Sequence, residues 1–322
     1  MSGWRRWLGG GAEADWRLEA LGGTTTFLTM AYIIVVNPAI LAFAGLPKGP
    51  GTVATILAAA FGTLLMAFWA KRPFAVAPYM GENAFLAFGL AALGITWQQR
   101  LGAVFLAGAL FLVITLVGLR RWLAESISRS LKQSFAVAIG LFLALIGLYE
   151  SGIVTSGAAG MPAAALAAAD GRLAAPAVPL RIGELGEPRV LLALLGVVGM
   201  LLLLLRGVRG AILLGMLPPA LLGIGLGLAT PPERWLALPF VGESTLAPVA
   251  FQLDIAGILR PEHLPVLGTL ALMGFLDTLG TLVALGAAAR LLDERGNLPE
   301  IEKPMAVDAV ASMASALLGT ST

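Results

Sequence analysis

The sequence predicts an all-α polytopic membrane protein, and three observations predict it. Apolar runs of bilayer-crossing length recur along the chain, charge is scarce inside them, and basic residues gather in alternate connections. Hydrophobic residues make up 58% of 322 positions and charged residues 12%, with a mean hydropathy of +0.89. A soluble domain is nearer half apolar and a quarter charged. A spanning helix needs about 20 mostly apolar residues, since each rises ~1.5 Å across ~30 Å of hydrocarbon. Spans are therefore expected at 23–44, 51–70, 73–93, 100–119, 134–150, 189–205, 211–229, 264–289 and 304–318.

The tail before the first span (1–22) holds Glu13, Asp15 and Glu19 without an apolar core, and does not read as a cleaved signal peptide. Placing it in the cytoplasm puts fourteen of the 21 Lys and Arg residues inside, among them Arg5, Lys71, Arg72, Arg120, Arg206 and Arg290. The outer connections then hold Lys48, Arg100, Arg172, Arg181, Arg189, Arg234 and Arg260, so the positive-inside rule is satisfied. The stretch 120–134 mixes charge with Trp122, Leu123, Ile127 and Leu131 and is expected to be an interfacial amphipathic helix. The Ala-, Gly- and Pro-rich segment 151–188 is expected to be loop.

Several function classes are excluded. There is no cysteine and one histidine, His263, so thiolate chemistry and multi-histidine metal centres are out. No GxxxxGK[ST] phosphate loop or HExxH zinc motif occurs. Basic residues sit in short loops without interleaved aromatics, which argues against nucleic acid. No enzymatic nucleophile–base set is visible, and no cofactor is implied.

The informative residues are charges within spans, because an ionisable group at the bilayer centre costs about 2.5–3.5 kcal/mol to insert. Asp277 lies near the middle of the 264–289 run, with Gly274, Gly280, Thr281, Ala284 and Ala288 on its helical face. Small residues there admit a second backbone or a flat ligand; packing against a neighbouring helix is the plainer alternative. The 73–93 segment carries Pro73, Pro78 and Gly81, which disfavour a continuous helix. An extended stretch from Phe74 to Met80 is expected, then a half-helix from near Gly81 with Glu82 and Asn83 in its first turn. Free N–H groups there favour anions and acceptors, and transporters build midplane sites this way. Glu82 capping its own helix is the alternative. Thr24, Thr25, Thr26 and Asn37 are expected to bond to carbonyls of their own helix. Asp308, four residues after Pro304, is expected in an interfacial first turn, Glu262 and His263 as a solvated pair, and Glu150 at the interface.

The blocks TTTFLTMAYIIVVNPAIL (24–41), APYMGENAFLAFG (77–89), FLDTLGTLVALGAAARLLDERGNLP (275–299) and MAVDAVASMASALLGTST (305–322) together resemble the AzgA-type branch of the nucleobase–cation symporters, the purine permeases for hypoxanthine, guanine and adenine. Residues 94–270 carry little of that signature. The resemblance implies two inverted repeats of seven segments, split into core and gate. It divides the chain into a tail (1–22), a first repeat (23–229), an outer loop (230–263) and the start of the second repeat (264–322), stopping before the tenth segment. It also implies that Gly81 and Asn83 are site residues and that Asp277 contacts substrate or proton; Tyr79, Met80, Glu82 and Thr281 are candidates beside them. Many relatives carry two aspartates before the Gly-Thr, where this chain keeps only Asp277.

The expectation is a proton-coupled carrier of purine nucleobases working by alternating access in a bacterial-type inner membrane, with a cytoplasmic N-terminus. A homodimer is implied by resemblance alone. A uracil, xanthine or anion carrier on the same fold, or a non-transporting membrane fragment, are the other readings.

Overall fold

A computed structural model of the protein describes residues 16–90, 93–118, 129–158, 179–208, 210–230, 241–292 and 298–321. The chain divides into two compact units, Met1–Gly140 with Leu236–Thr322, and Leu141–Trp235.

The first unit opens with α1 (Trp16–Met30) and α2 (Ile33–Phe43), separated by a turn at 31–32. Helix begins earlier than the 23–44 run because Leu18 and Leu21 continue the apolar pattern toward the N-terminus. Next comes α3 (Lys48–Leu65), which widens into a π-helical turn at Met66–Ala70 and stops at Lys71, in the left-handed conformation. Residues 71–79 have no regular structure, then α4 (Met80–Ala84) runs into a second π-helical turn, Phe85–Gly89. A reciprocal box starts α5 (Trp97–Leu116): Thr96 accepts from the Gln99 N–H and Gln99 from the Thr96 N–H. After α6 (Arg129–Glu150) and the second unit, the chain returns through the short α9 (Ile255–Ile258) to α10 (Leu264–Ala288) and α11 (Glu302–Leu318). The expected amphipathic helix at 120–134 falls largely outside the described residues.

Small residues let α5 and α11 approach closely. A Cβ on Gly108 would lie 3.2 Å from the Ala309 carbonyl and 3.1 Å from Met313 Cγ. The apolar core beside this contact gathers Met66, Phe74, Val76, Phe111, Phe275, Leu276, Met305 and Val307. The part of the 230–263 connection after residue 240 packs back onto the bundle rather than running free. Phe251 N–H donates to the Leu317 carbonyl (2.7 Å) and Asp254 caps α9 through the Gly257 N–H (2.8 Å).

The second unit corrects the loop expected at 151–188. Two strands, β1 (Val154–Ser156) and β2 (Leu180–Ile182), pair antiparallel with Thr155 opposite Arg181. Their β-branched residues suit a ladder, and three-residue strands are too short to show periodicity. Residues 159–178 between them lie outside the described set. Two helices follow, α7 (Pro188–Leu205) and α8 (Ala211–Gly225), and Gly207 and Gly210 between them have positive φ.

Among the described residues five helices are long and apolar enough to cross a membrane: Trp16–Phe43, Lys48–Ala70, Trp97–Leu116, Pro188–Leu205 and Pro261–Ala287. Gly140–Glu150 and Ala211–Gly225 are apolar but shorter. The run expected at 211–229 ends as helix at Gly225, after Pro218 and Pro219 have removed two backbone donors.

Candidate functional site

The site grows from the interruption between α3 and α4. Two prolines leave residues 73–78 poor in backbone donors, and one side chain of α3 holds what remains. The Thr63 hydroxyl accepts from the Val76 N–H (3.0 Å) and lies 3.3 Å from the Val76 carbonyl, to which it donates. The stretch can pass so near α3 because Gly62 has no side chain: a Cβ there would lie 2.7 Å from Val76 Cγ1. At its far end the Tyr79 carbonyl accepts the Asn83 N–H (3.0 Å), closing the first turn of α4. At the C-terminal end of this half-helix, buried Arg100 reaches back from α5. Its guanidinium donates to the carbonyls of Leu86 (2.6 Å), Ala87 (3.3 Å) and Ile95 (2.9 Å). A fork of cationic donors suits the negative end of a helix. Arg100 is thus a buried residue of α5 and not a charge of an outer connection.

Two buried polar clusters flank the first turn of α4. In one, Tyr79 donates its phenolic proton to Asp308 Oδ2 (2.6 Å), which also lies 2.6 Å from Thr278 Oγ1. Asp308 thus sits buried in the second turn of α11, not in an interfacial first turn, because helix begins at Glu302 and the alanines and serines around it pack inward. In the other cluster, Asn83 donates through Nδ2 to Asn37 Oδ1, while Asn37 Nδ2 donates to Thr55 (2.9 Å) and Thr320 (3.1 Å). Asn37 was expected to bond within its own helix, but it joins α2 to α3, α4 and the end of α11. Thr25 and Thr26 do bond the carbonyls four residues back.

Of the candidate residues, Gly81, Glu82 and Asn83 are buried and Tyr79, Met80 and Asp277 half-buried. The Glu82 carboxylate faces α10, where a Cβ on Gly274 would lie 3.8 Å from Oε2. Thr281 is exposed and stands apart from these clusters. Asn37 and Asp308 are residues of these clusters to which the sequence assigns only local roles. Their signals were an amide inside an otherwise apolar span, and a carboxylate in a run of small residues.

The chain matches the family described as the Permease family over residues 17–322. The chain belongs to this permease family. A relative from Methanocaldococcus jannaschii is 41% identical over 307 residues, covering 95% of this chain and 65% of its own length. The guanine/hypoxanthine permease PbuO of Bacillus subtilis is 35% identical, covering 94% of this chain and 66% of the relative. The adenine permease AdeP of Escherichia coli is 34% identical, covering 95% and 64%. This chain thus spans about two thirds of the length of the relatives it matches. These relatives are named as permeases, and with its family match and its apolar helices the chain is an integral membrane protein. Irregular backbone in a membrane protein persists only when buried in protein or lining a cavity, and within 71–79 Phe74, Val76 and Pro78 are buried.

Proposed function

We propose that this permease moves purine nucleobases together with protons, by alternating access, at the site around the first turn of α4. The observation that carries the reading is the convergence of Tyr79 on Thr278 of α10 and Asp308 of α11, with Glu82 facing Gly274 of α10 and Asn83 in the same first turn. Relatives named for guanine, hypoxanthine and adenine support the substrate class.

Asn83 and the backbone at Tyr79–Gly81 hydrogen-bond the edge of the planar base, with Met80 against its face. Gly81 and Gly274 leave room for a flat ring. Asp277 anchors the base and carries the coupled proton, with Glu82 beside it and Thr281 on the same helix face. Protonation couples to transport only through different affinities for the base in the outward- and inward-facing states. The first repeat would run over 23–229, with 264–322 opening an inverted second repeat, a cytoplasmic N-terminus and a homodimeric assembly.

The test is uptake of radiolabelled hypoxanthine, adenine, guanine, uracil and xanthine by the full-length protein, in cells lacking their own carriers. Purine uptake abolished by a protonophore, by Asp277→Asn and by Asn83→Ala in normally inserted protein is the expected result. Uptake of none of the bases overturns the nucleobase reading, and uracil uptake alone moves it to pyrimidines.

A further inference from the structure

The cluster behind Asn83 has a direction, and counting its protons reveals it. Four contacts join Asn37, Thr55, Thr320 and the Gly51 carbonyl. Thr55 Oγ1 donates to Gly51 O (2.7 Å), Asn37 Nδ2 reaches Thr55 Oγ1 (2.9 Å) and Thr320 Oγ1 (3.1 Å), and the two hydroxyls lie 3.2 Å apart. Two amide protons and two hydroxyl protons serve all four contacts if Thr320 donates to Thr55 and Asn37 turns its NH2 toward both threonines. Turning the Asn37 amide over leaves only the two hydroxyl protons, both drawn to its oxygen, and two of the four contacts go unmade. The Asn37 carbonyl oxygen therefore faces Asn83 and takes one of its amide protons. Asn83 is fully buried, and its Oδ1 has no hydrogen-bond partner among the described residues. The chain of bonds runs from Gly51 through Thr55 and Asn37 and ends on one unpaired, oriented acceptor.

We propose that Thr55 and Asn37 are positioning residues that lock Asn83 as an acceptor toward the ligand, and so set the preference of the site between 6-oxo and 6-amino purines. The inference rests on the assignment of Asn83 to the nucleobase site made above. The two classes are nearly isosteric and differ in polarity along one edge. A 6-oxo purine presents an N1–H donor beside an O6 acceptor, and a 6-amino purine presents an N1 acceptor beside an amino donor. An amide free to turn over can satisfy either edge. One held as an acceptor is satisfied by one class and left facing an acceptor by the other, where a buried group loses its partner. Neither Thr55 nor Asn37 needs to touch the base for this to operate.

The experiment is competition of unlabelled hypoxanthine and adenine against labelled uptake by the full-length protein, comparing wild type, Thr55→Val and Thr55→Ser. Membrane insertion is followed by gel filtration of a fluorescent fusion. Wild type is expected to separate the two bases by about tenfold or more in inhibition constant, as sites built around a buried hydrogen bond do. Thr55→Val is nearly isosteric but cannot hold the Asn37 amide, and should bring the ratio to within about threefold. Thr55→Ser keeps the hydroxyl and should restore the wild-type ratio. If Thr55→Val inserts poorly, Asn37→Ala carries the same prediction. A ratio unchanged in the inserted variant overturns the proposal, as does a wild type that does not separate the bases. Asn83→Ala run in parallel distinguishes the two failures: unchanged uptake by that variant removes Asn83 from the site itself.

Discussion

The Asp308 carboxylate takes hydroxyl contacts from two other segments, Tyr79 and Thr278, and each partner is differently replaceable. Thr278 also bonds the Gly274 carbonyl four residues back (2.7 Å), so it keeps an acceptor when Asp308 is removed. Tyr79 keeps only the Thr278 hydroxyl, 2.9 Å away. Asp308→Ala therefore weakens the anchoring of a buried phenol and opens a space, at about 1–3 kcal/mol. Tyr79→Phe leaves the carboxylate one hydroxyl donor and should cost less, about 1 kcal/mol. Melting temperatures of the purified variants should fall in that order, and the reverse order would remove Asp308 from the centre of the cluster. At this scale the sequence was half legible. Asp277 stood out because an acid in an apolar run is conspicuous without any partner. Asn37 and Asp308 did not, because what gives them meaning lies far away in the chain: Asn37 meets Thr320 across 283 positions and Tyr79 meets Asp308 across 229.

The half-helix depends on supports at both ends, and only one end was readable. Pro73, Pro78 and Gly81 announce an interrupted segment through backbone chemistry local to the sequence. Its C-terminal support, Arg100, belongs to the next helix and reads locally as an ordinary charge at a span boundary. Arg100→Ala would leave the Leu86, Ala87 and Ile95 carbonyls without their cationic donor. Hydrogen bonds to charged groups contribute about 1.5–3 kcal/mol each, so the variant is expected to lose most of its folded yield. Arg100→Lys keeps the charge but not the fork, and should retain inserted protein with faster amide exchange over 86–90. Exchange at wild-type rates in Arg100→Lys would mean that charge alone suffices. The long helices needed no such support to be read, because about 20 apolar residues identify a span unaided. The short pairing of Val154–Ser156 with Leu180–Ile182 was illegible for the opposite reason, since three residues hold no period.

Across the whole first unit, the site is assembled where α3, the irregular stretch 71–79 and α11 meet, and Gly62 lies at that junction. A Cβ placed there would sit 2.7 Å from Val76 Cγ1 and 3.1 Å from Ala311 Cβ, closer than packed atoms tolerate. The stretch cannot retreat freely, because Val76 is tied to Thr63 by both its backbone groups. Neither can α11 move alone, since it packs against α5 at Gly108 and carries Asp308 in its second turn. Gly62→Ala must therefore shift one of the pieces that position Tyr79 or its acceptor. Overpacking of this kind costs about 1–3 kcal/mol, or several degrees of melting temperature for a chain of this size at about 2–4 °C per kcal/mol. Gly280 is the internal control for stability: it lies on α10 with nothing within 4 Å of an added Cβ, so Gly280→Ala should match or slightly exceed wild type in melting temperature. Melting in detergent and purine uptake, measured together, read both consequences. Gly62→Ala is expected to lose uptake out of proportion to its loss of stability, because the displaced backbone leads straight into the first turn of α4. Uptake falling only as far as the amount of folded protein would mean that the junction holds the bundle together without setting the geometry of the site.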